Sequence, residues 1–319
     1  MANHKHLFIV NPVAGGRDAT EDVRRKAQLA FAVREDEYEI YVTEAPMDAP
    51  EKIRAESESC EKLTVYACGG DGTFNECVCG AALRENVAVC PFPTGTGNDF
   101  CRMFGSDAEL YRDLDAILAG HEQPIDLINC NGRWCANICS VGIDARIGAD
   151  VHKYSGLPII GGAAAYVVSA AVNVFKGINT FMRVKVEDFS SEGRHALVCA
   201  CNGRYYGGGF NPSIDARPDD GLLEIYVVKE VSLAMLPFLI GKYAGGRADE
   251  LPKYVTHLKG RSLSISFEEE NVINIDGEAI FAKDVEMSLH RSAARLVVPR
   301  GMSFFAEAEC RDSAALSMS

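Results

Sequence analysis

Three glycine-containing loops are the parts of this sequence best suited to chemistry. They are NPVAGG (11–16), GGDGT (69–73) and PTGTGND (93–99), called the first, second and third glycine loops below. Glycine lets the backbone approach a ligand closely, and N–H groups at the start of a following helix attract anions. One such loop is weak evidence, but three that meet at one edge of a sheet predict a phosphate cradle.

Asp71 lies inside the second glycine loop, where its negative charge would repel a phosphate group. A cation between the two removes this conflict, so we expect a magnesium ion beside Asp71, bound directly or through water. An ordinary turn aspartate is the alternative. By spacing, Thr73 as N-cap and Glu76 at N3 fit a capping box, which alone would account for these two residues.

The loops need regular elements to position them, and the first 120 residues alternate between strand and helix patterns. Predicted strands are 6–10, 38–42, 63–67 and 87–92, and predicted helices are 20–33, 49–59, 74–83 and 107–120. This alternation is typical of a doubly wound α/β domain, in which helices cover both faces of a parallel sheet. Ligands of such domains bind at the carboxyl ends of the strands, where the glycine loops are expected.

After about Asp126 the pattern changes to short strands separated by turns. Asn131-Gly132, inside the apolar segment 125–144, indicates a type I′ hairpin. Further predicted strands are 181–188, 195–202, 222–230, 262–269, 271–278, 285–290 and 295–299, and helical segments are predicted at 162–176 and 232–245. We therefore expect an antiparallel sandwich or barrel.

With 319 residues, two domains are the leading expectation and one large domain is the alternative. We place an α/β nucleotide-binding domain at 1–125 and an antiparallel β-sandwich domain at 126–300. The tail, 301–319, is expected to form a helix at 303–309 that packs back on the first domain.

Composition and charge exclude several classes of protein. A net charge of −13 and the lack of clustered Lys and Arg argue against a nucleic-acid partner. The N-terminal residues do not read as a signal peptide, so we expect a cytoplasmic protein whose twelve cysteines are reduced. There is no C-x-x-C pair and the seven histidines show no metal-binding spacing, so structural zinc is not expected.

The uncharged stretch 157–175 is long enough to span a membrane. Pro158, the Gly161-Gly162 pair and many alanines favour a buried or groove-lining helix instead. Together with Leu233–Ile240, it could line an apolar groove or touch a bilayer, and ordinary core helices are the alternative for both segments.

Residues 69–76, GGDGTFNE, resemble the GGDGTxNE signature of the diacylglycerol kinase and sphingosine kinase family of lipid kinases. The order NPxxGG, GGDGTxNE, PxGTGND is similar to that of the family's bacterial members. NAD kinases and phosphofructokinases share the shorter GGDG core. Asn75-Glu76 and the later Asp276-Gly277-Glu278 favour a lipid kinase.

The resemblance implies ATP and Mg²⁺ as cofactors and an N-terminal domain of the NAD kinase and diacylglycerol kinase type, followed by a β-sandwich for the lipid. The ATP-contacting set that it implies is Asn11, Pro12, Val13, Ala14, Gly15, Thr43, Gly69, Gly70, Asp71, Gly72, Thr73, Phe74, Asn75, Glu76 and Thr96. It also implies a structural magnesium site formed by the backbone carbonyls of Arg217 and Leu222 and the side chain of Asp220.

Asp276-Gly277-Glu278 is similar to the family's catalytic DGE, which implies that Glu278 accepts a proton and that Asp276 and Asp71 belong to the catalytic set. From the residues alone, this segment would be a surface β-turn.

As a whole, the resemblance implies transfer of the γ-phosphate of ATP to a hydroxyl of diacylglycerol or a related lipid. The protein would contact the inner face of the membrane transiently. Whether it forms a homodimer is left open by the sequence. NAD kinase and a catalytically inactive, nucleotide-regulated lipid-binding protein are the alternative functions.

Overall fold

The structure is a computed structural model that describes residues 4–95, 97–155, 172–174 and 177–305. The chain forms two compact units. The first unit contains the residues up to Ile125 and those from Ala293 onward, and the second is Asp126–Ser292.

Two expectations about the whole chain concern cysteines and membrane spans. All eleven cysteines that the structure describes are free thiols, which agrees with the expected reduced state. Within the described residues, no helix has the length and apolar character needed to cross a membrane. Of the uncharged stretch 157–175, only residues 172–174 are described.

The first unit is a parallel sheet with helices between its strands. Its strands are β1 (His4–Val10), β2 (Glu37–Val42), β3 (Lys62–Gly69) and β4 (Val87–Pro93), and its helices are α1 (Thr20–Phe31), α2 (Asp48–Ser59), α3 (Asp71–Ala81), α4 (Asp99–Arg102) and α5 (Leu114–Leu118). The strand order is β2-β1-β3-β4 and every pairing is parallel. The predicted α/β fold of this domain is therefore confirmed.

Strands β3 and β4 are buried because they are nearly continuous apolar runs, whereas β2 is exposed or half-buried throughout. β3 has seven consecutive buried residues and β4 has six. Strands covered on both faces require such runs. Parallel strands have their carboxyl ends at one edge, so the three glycine loops follow β1, β3 and β4 at the same edge of this sheet.

The helix predicted over 107–120 is wrong as a single element. The chain forms a 3₁₀ helix over Gly105–Arg112, and α5 then starts anew. Asp113 separates the two, because its side chain accepts hydrogen bonds from the N–H groups of Asp115 (3.0 Å) and Ala116 (3.2 Å). This is the N-cap arrangement, and it favours a new helix at that point. The short helix α4 was not predicted.

The second unit consists mainly of antiparallel strands. Elements with at least half of their residues in it are β5 (His121–Cys130), β6 (Arg133–Cys135), β7 (Ile138–Gly142), α6 (Ile143–Ser155), β8 (Thr180–Val186), β9 (Phe189–Cys201), β10 (Leu223–Lys229), α7 (Leu236–Tyr243), β11 (Val255–Gly260), β12 (Ser262–Ile275) and β13 (Glu278–Val298). Antiparallel pairs include β7–β9, β8–β9, β9–β10, β10–β11 and β12–β13.

Alternation along the strands builds the core of this unit. In β8, Met182, Val184 and Val186 are buried while Arg183 and Lys185 point to solvent. The buried side chains join those of β9, β10, β12 and β13 in one apolar cluster. The expected antiparallel β-sandwich domain is thus confirmed.

The hairpin prediction is confirmed in detail. Asn131 has φ 48° and Gly132 has φ 85°, and a type I′ turn requires positive φ at both positions. Helix α6 and strand β11 were not predicted.

Several predicted strand boundaries in the second half are wrong. The segments 262–269 and 271–278 are mostly one strand, β12, which continues through a register shift between Ser266 and Asn271. The acidic run in between resembles a turn in sequence, but a β-bulge absorbs it. Likewise, 285–290 and 295–299 lie almost entirely within the single strand β13.

The end of β13 belongs with the first unit, although the sequence analysis placed it in the β domain. Arg295 and Leu296 pair in parallel with Ala88 and Val89 of β4. After β13, the described chain ends at residue 305 in a turn, and the rest of the helix predicted at 303–309 lies outside the described residues.

The described part of the tail packs within the first unit. Phe304 and Phe305 lie against Phe104, with ring centroids 5.1 and 5.9 Å apart. Ser303 donates from its backbone N–H to Asp107 Oδ2 at 2.8 Å. The aromatic contacts and this hydrogen bond hold the end of the described chain against the segment after β4.

Candidate active site

The three glycine loops of the first unit contact one another in pairs. Asn11 joins the first loop to the second, because its Nδ2 donates to Thr73 Oγ1 at 3.3 Å. The carbonyl oxygen of Gly69 joins the second loop to the third by accepting from the N–H groups of Thr94 and Gly95, each at 3.1 Å. The predicted convergence of these loops is therefore observed.

Glycine is required where the loops cross. Gly15 has φ 70°, and a Cβ placed there would lie 3.0 Å from Gly95 Cα. A Cβ on Gly70 would lie 2.8 Å from the carbonyl oxygen of Gly97. Any larger residue would push the loops apart, so the backbone of the first and second loops stays accessible only because these positions lack side chains.

Asp71 binds the third loop through its carboxylate. Its Oδ2 accepts from the N–H of Asp99 at 2.9 Å, and its Oδ1 accepts from the N–H of Phe100 at 3.1 Å. Its own N–H donates to the carbonyl oxygen of Gly97 at 3.2 Å. Asp71 therefore fixes the third loop and the start of α4, a role that the sequence did not reveal.

These bonds leave Asp71 able to bind a cation as well. An ionised carboxylate has about four lone-pair sites, and the two N–H groups use only two of them. Carboxylate oxygens are the protein ligands that Mg²⁺ prefers. The residue present at this position therefore fits the expected ion, and magnesium binding by Asp71 stays a prediction.

The predicted capping box is wrong. Helix α3 begins at Asp71, with Gly70 as N-cap, so Thr73 lies inside the first turn rather than before the helix. The extended backbone of Gly70 brings the chain directly from strand to helix. Glu76 instead binds the start of α2, because its Oε1 accepts from the N–H of Met47 at 3.0 Å. Met47 has φ 66° and precedes that helix.

Some residues of the expected ATP set lie at the loop surface. Val13 is 80% exposed, and its N–H donates to Asn11 Oδ1 at 3.1 Å. Thr43 follows β2 and donates from its N–H to the carbonyl oxygen of Val10 at 2.9 Å. Pro12 and Ala14 are half-buried and Gly15 and Gly72 are exposed. These residues occupy the same sheet edge as the contacts described above.

Other members of that set point inward. The ring of Phe74 is buried and lies 4.5 Å from that of Phe100, centroid to centroid. Asn75 is buried, and its Oδ1 accepts from the Cys79 thiol at 3.6 Å. Both side chains are buried against their neighbours in this structure, and their contact with ATP stays a prediction. Thr96 lies outside the described residues.

In the second unit, Asp276 holds the segment that leads into β7. Its carboxylate accepts from the N–H groups of Ala136 (2.8 Å), Asn137 (3.1 Å) and Ile138 (2.9 Å). The Cys135 thiol lies 3.0 Å from the same carboxylate, and burial raises the pKa of Cys135 to about 12, so this thiol is a donor. The aspartate of the predicted catalytic DGE is thus an anchor for backbone N–H groups.

Glu278 is presented on the tight turn that Asp276 anchors. Asp276 has φ 48° and Gly277 has φ 93°, and the N–H of Gly277 donates to Asn274 Oδ1 at 2.9 Å. Glu278 is exposed as the first residue of β13. Within the described part of the chain no group pairs with its carboxylate, so it is accessible to a substrate.

The segment expected to hold a structural magnesium ion contains a close ion pair. Arg217 binds Asp219 through two contacts, from Nε to Oδ1 at 2.9 Å and from Nη2 to Oδ2 at 3.0 Å. Asp220 Oδ1 accepts from the N–H of Leu222 at 3.0 Å. The Arg217 guanidinium is thus engaged with an acid, and binding of a magnesium ion by the carbonyls of Arg217 and Leu222 stays a prediction. One oxygen of Asp220 is not used by this bond.

Asp126 is another aspartate whose carboxylate binds backbone N–H groups. Its Oδ2 accepts from the N–H of Gly221 and its Oδ1 from that of Ser292, both at 2.8 Å. The residue is buried, and burial raises the pKa of its carboxyl group despite these bonds. Asp126 therefore ties the segment beside Asp220 to the turn within β13.

Sequence reasoning missed the partners of these aspartates. The groups that Asp71 and Asp276 bind are backbone N–H groups, which every residue except proline has. No residue type marks them, so only the folded chain identifies them. The Asn98 side chain, which donates to the Gly95 carbonyl at 2.9 Å, could have been found from the GTGND run.

Comparisons with known proteins match both halves of the chain. A family model described as the diacylglycerol kinase catalytic domain matches residues 5–130. A second, described as the YegS C-terminal NAD kinase β-sandwich-like domain, matches residues 137–298. The two matches correspond to the α/β and β-sandwich parts of the fold.

Individual relatives cover most of the chain. A protein of Stenotrophomonas maltophilia described as a "Probable lipid kinase YegS-like" is 28% identical over 298 residues, which is 91% of this chain and 96% of that protein. The crystal structure of a diacylglycerol kinase from Bacillus anthracis has a TM-score of 0.67 at 23% identity and covers 93% of this chain and 98% of that one. A second solved protein of that organism has a TM-score of 0.72 at 25% identity, covering 93% and 96%.

Proposed function

We propose that this chain, which belongs to the diacylglycerol kinase and YegS family of lipid kinases, transfers the γ-phosphate of ATP to a lipid hydroxyl with Mg²⁺ as cofactor. The observation that supports this most is the pairwise contact of the three glycine loops beside the N-terminus of α3. Phosphoryl transfer depends mainly on positioning and charge neutralisation, and the edge of the sheet that carries the glycine loops can supply both.

The start of α3 supplies donors for phosphate oxygens. The first N–H groups of a helix have no acceptor within it. At α3, the N–H of Asp71 donates to Gly97 and that of Phe74 to Gly70, which leaves the N–H groups of Gly72 and Thr73 to meet a phosphate. The helix dipole adds partial positive charge at the same place.

Asp71 and bound Mg²⁺ complete the nucleotide site in this proposal. The ion supplies charge neutralisation between the phosphates of ATP when it is bound. Asp71 offers lone pairs to it while holding Asp99 and Phe100 in place. A second ion beside Asp220 would have the structural role that the family resemblance implies.

Glu278 is the proposed proton acceptor. As the lipid hydroxyl oxygen attacks the γ-phosphorus, its proton passes to the Glu278 carboxylate and ADP leaves. Asp276 is a positioning residue in this scheme. Its bonds to the N–H groups of 136–138 fix the turn that presents Glu278.

The lipid acceptor requires contact with a membrane, and the α7 region of the second unit offers an apolar surface for it. Leu233, Phe238 and Ile240 are 59%, 52% and 42% exposed, whereas Leu236 and Leu239 are buried in the core. Contiguous exposed apolar surface is typical of interaction sites. We include transient membrane contact through these residues in the proposal.

A lipid-panel assay tests the proposal. Protein, radiolabelled ATP and Mg²⁺ are incubated with vesicles that contain diacylglycerol, phosphatidylglycerol, a sphingoid base or ceramide. We expect one of these lipids to be labelled. No label in any lipid, together with NADP formation from NAD and ATP, would assign NAD kinase activity instead.

A binding measurement separates the remaining alternative. If the wild type labels no lipid and produces no NADP, yet sediments with vesicles in a nucleotide-dependent way, the chain is a lipid-binding protein without kinase activity. Phe238→Ser should weaken sedimentation with vesicles. Leu29→Ser is the matched control, since Leu29 is 71% exposed in α1.

A further inference from the structure

Two histidines and an aspartate meet at the start of β1, at the end of the strand opposite to the first glycine loop. His4 and His6 are two residues apart on β1, so their side chains lie on the same face of the sheet. Asp36 comes directly before β2, whose Glu37 pairs with Lys5 of β1. One ligand atom from each of the three residues lies within 4.8 Å of the other two.

Hydroxyl groups of β3 hold one nitrogen of each histidine ring. His6 Nδ1 lies 2.8 Å from Tyr66 Oη, and His4 Nε2 lies 2.9 Å from Thr64 Oγ1. The two rings lie side by side, with centroids 4.1 Å apart. Histidines that bind metals are usually oriented by such a bond to the nitrogen that does not bind the metal.

The other nitrogen of His6 has no partner among the described residues. His6 is 4% exposed, and its Nε2 is buried without a hydrogen bond. A buried polar atom without a partner costs free energy, so native proteins rarely keep one without a reason. A metal ion bound at this atom would supply the missing interaction.

Two cations lie near the cluster, and one of them is paired with an acid. Lys62 disfavours further positive charge on both histidines, and Arg34 disfavours it on His6. Lys62 is paired with Glu122 at 2.7 Å, and Arg34 donates from Nε to the carbonyl oxygen of Ala30 at 3.2 Å. The carboxylate of Asp36 would add negative charge for a bound cation.

We propose that His4, His6 and Asp36 bind a Zn²⁺ ion, with water as the fourth ligand. Two imidazoles and a carboxylate suit Zn²⁺ or Co²⁺, whereas Mg²⁺ requires oxygen ligands, so this site is separate from the nucleotide's cation. Tetrahedral zinc with bonds of about 2.0–2.2 Å sets its ligand atoms about 3.4 Å apart. Asp36 is exposed, so its side chain has room to move by about 1 Å towards the ion on binding.

The ion would join the connection between α1 and β2 to the first strand. The sequence analysis expected no structural zinc because there is no C-x-x-C pair and the histidine spacing matches no zinc motif, and Asp36 lies 30 residues beyond His6. The parallel pairing of β1 with β2 is what brings these residues together.

Cobalt titration of the metal-free, full-length protein tests the site. We expect one equivalent of Co²⁺ to give the visible ligand-field absorption of a tetrahedral site. Zn²⁺ should abolish that absorption and excess Mg²⁺ should not. Asp36→Asn and His4→Gln should weaken binding at least about 100-fold, and Tyr66→Phe, which removes only an orienting hydroxyl, by about 10- to 100-fold.

The matched control is His121→Gln, at an exposed histidine outside the cluster, which should bind Co²⁺ like the wild type. Asp36→Asn is the decisive variant, because an exposed residue can change without disturbing the core. A wild-type protein that gives no absorption change overturns the proposal. Unaltered binding in both Asp36→Asn and His4→Gln also overturns it, since the ion would then lie elsewhere, for example on cysteine thiols.

Discussion

Replacing Asp71 with Asn separates its contacts with the backbone from its proposed contact with magnesium. The carboxylate accepts N–H groups of Asp99 and Phe100 at 2.9 and 3.1 Å. An asparagine has one acceptor oxygen, and its amide nitrogen can only donate, so one of the two N–H groups loses its acceptor. The variant should therefore be less stable even without nucleotide or metal.

The size of the effect follows from the kind of bond that is lost. A hydrogen bond to a charged group contributes about 1.5–3 kcal/mol to stability. Because Asp71 is only half-buried, we expect a loss of about 1.5–2 kcal/mol in the free energy of unfolding. A deficit of that size should lower the urea midpoint of the first unit by about 1 M.

Urea unfolding in EDTA, followed by far-ultraviolet circular dichroism, measures this effect. Fluorescence is less suitable because the one tryptophan, Trp134, lies in the second unit. Asp22→Asn is the control, since Asp22 makes exposed ion pairs with Arg17 and Arg25 and its loss should cost less than about 1 kcal/mol. If Asp71→Asn unfolds like the wild type in EDTA and differs only with MgATP, the backbone role assigned to Asp71 is refuted.

Three further predictions follow from the geometry. Gly70→Ala places a Cβ 2.8 Å from the Gly97 carbonyl oxygen, so ATP affinity measured by calorimetry should fall at least tenfold; unchanged affinity would contradict the loop packing. Asp276→Asn should destabilise the second unit by about 2–4 kcal/mol in urea, because at least one backbone N–H loses its acceptor; a change below about 0.5 kcal/mol would contradict the anchor role. The hydrogen bond that His257 donates to the Glu224 carboxylate raises the pKa of His257, so this pair stabilises the fold fully below pH about 6.5 and loses that contribution as the pH rises through the raised pKa. His257→Gln should flatten this pH dependence in urea unfolding, and an unaltered slope would contradict it.

The α/β half of the fold could be predicted from sequence because its signals are local. β3 and β4 are continuous apolar runs, and the helices between strands show helical spacing. The segment 107–120 was misjudged because its apolar spacing is helical throughout, while one side chain, Asp113, decides that a second helix starts there. A helix-capping side chain predicts a new helix at this point, whereas the apolar spacing predicts one continuous helix. The sequence does not show which of the two determines the structure.

The β half was harder because tertiary pairing overrides local signals. The acidic residues 268–270 look like the end of a strand, yet β12 continues past them as a bulge paired to β13. Whether a polar run turns or bulges depends on the partner strand. The Asn131-Gly132 hairpin was predictable because positive φ at both positions strongly selects those residue types.

In the candidate site too, some features could be predicted from local sequence, whereas others depend on contacts between distant parts of the chain. The glycine loops and Asp71 could be singled out by residue type and Glu278 by the family resemblance, and the structure places the loops in mutual contact. The hydrogen bonds of Asp71 and Asp276 could not be predicted from the sequence, because both carboxylates bind backbone N–H groups that are distant in sequence. The His4, His6 and Asp36 cluster was missed for a similar reason, since strand pairing assembles it.

Lipid labelling by the wild type and by Glu278→Gln tests the central claim most directly. Glu278 is exposed and pairs with no other described residue, so the variant should match the wild type in circular dichroism and urea unfolding. With radiolabelled ATP, Mg²⁺ and the lipid vesicles, the account predicts a labelled lipid for the wild type and a rate at least about 100-fold lower for the variant. Labelling at the wild-type rate by folded Glu278→Gln would contradict the claim that this carboxylate accepts the proton.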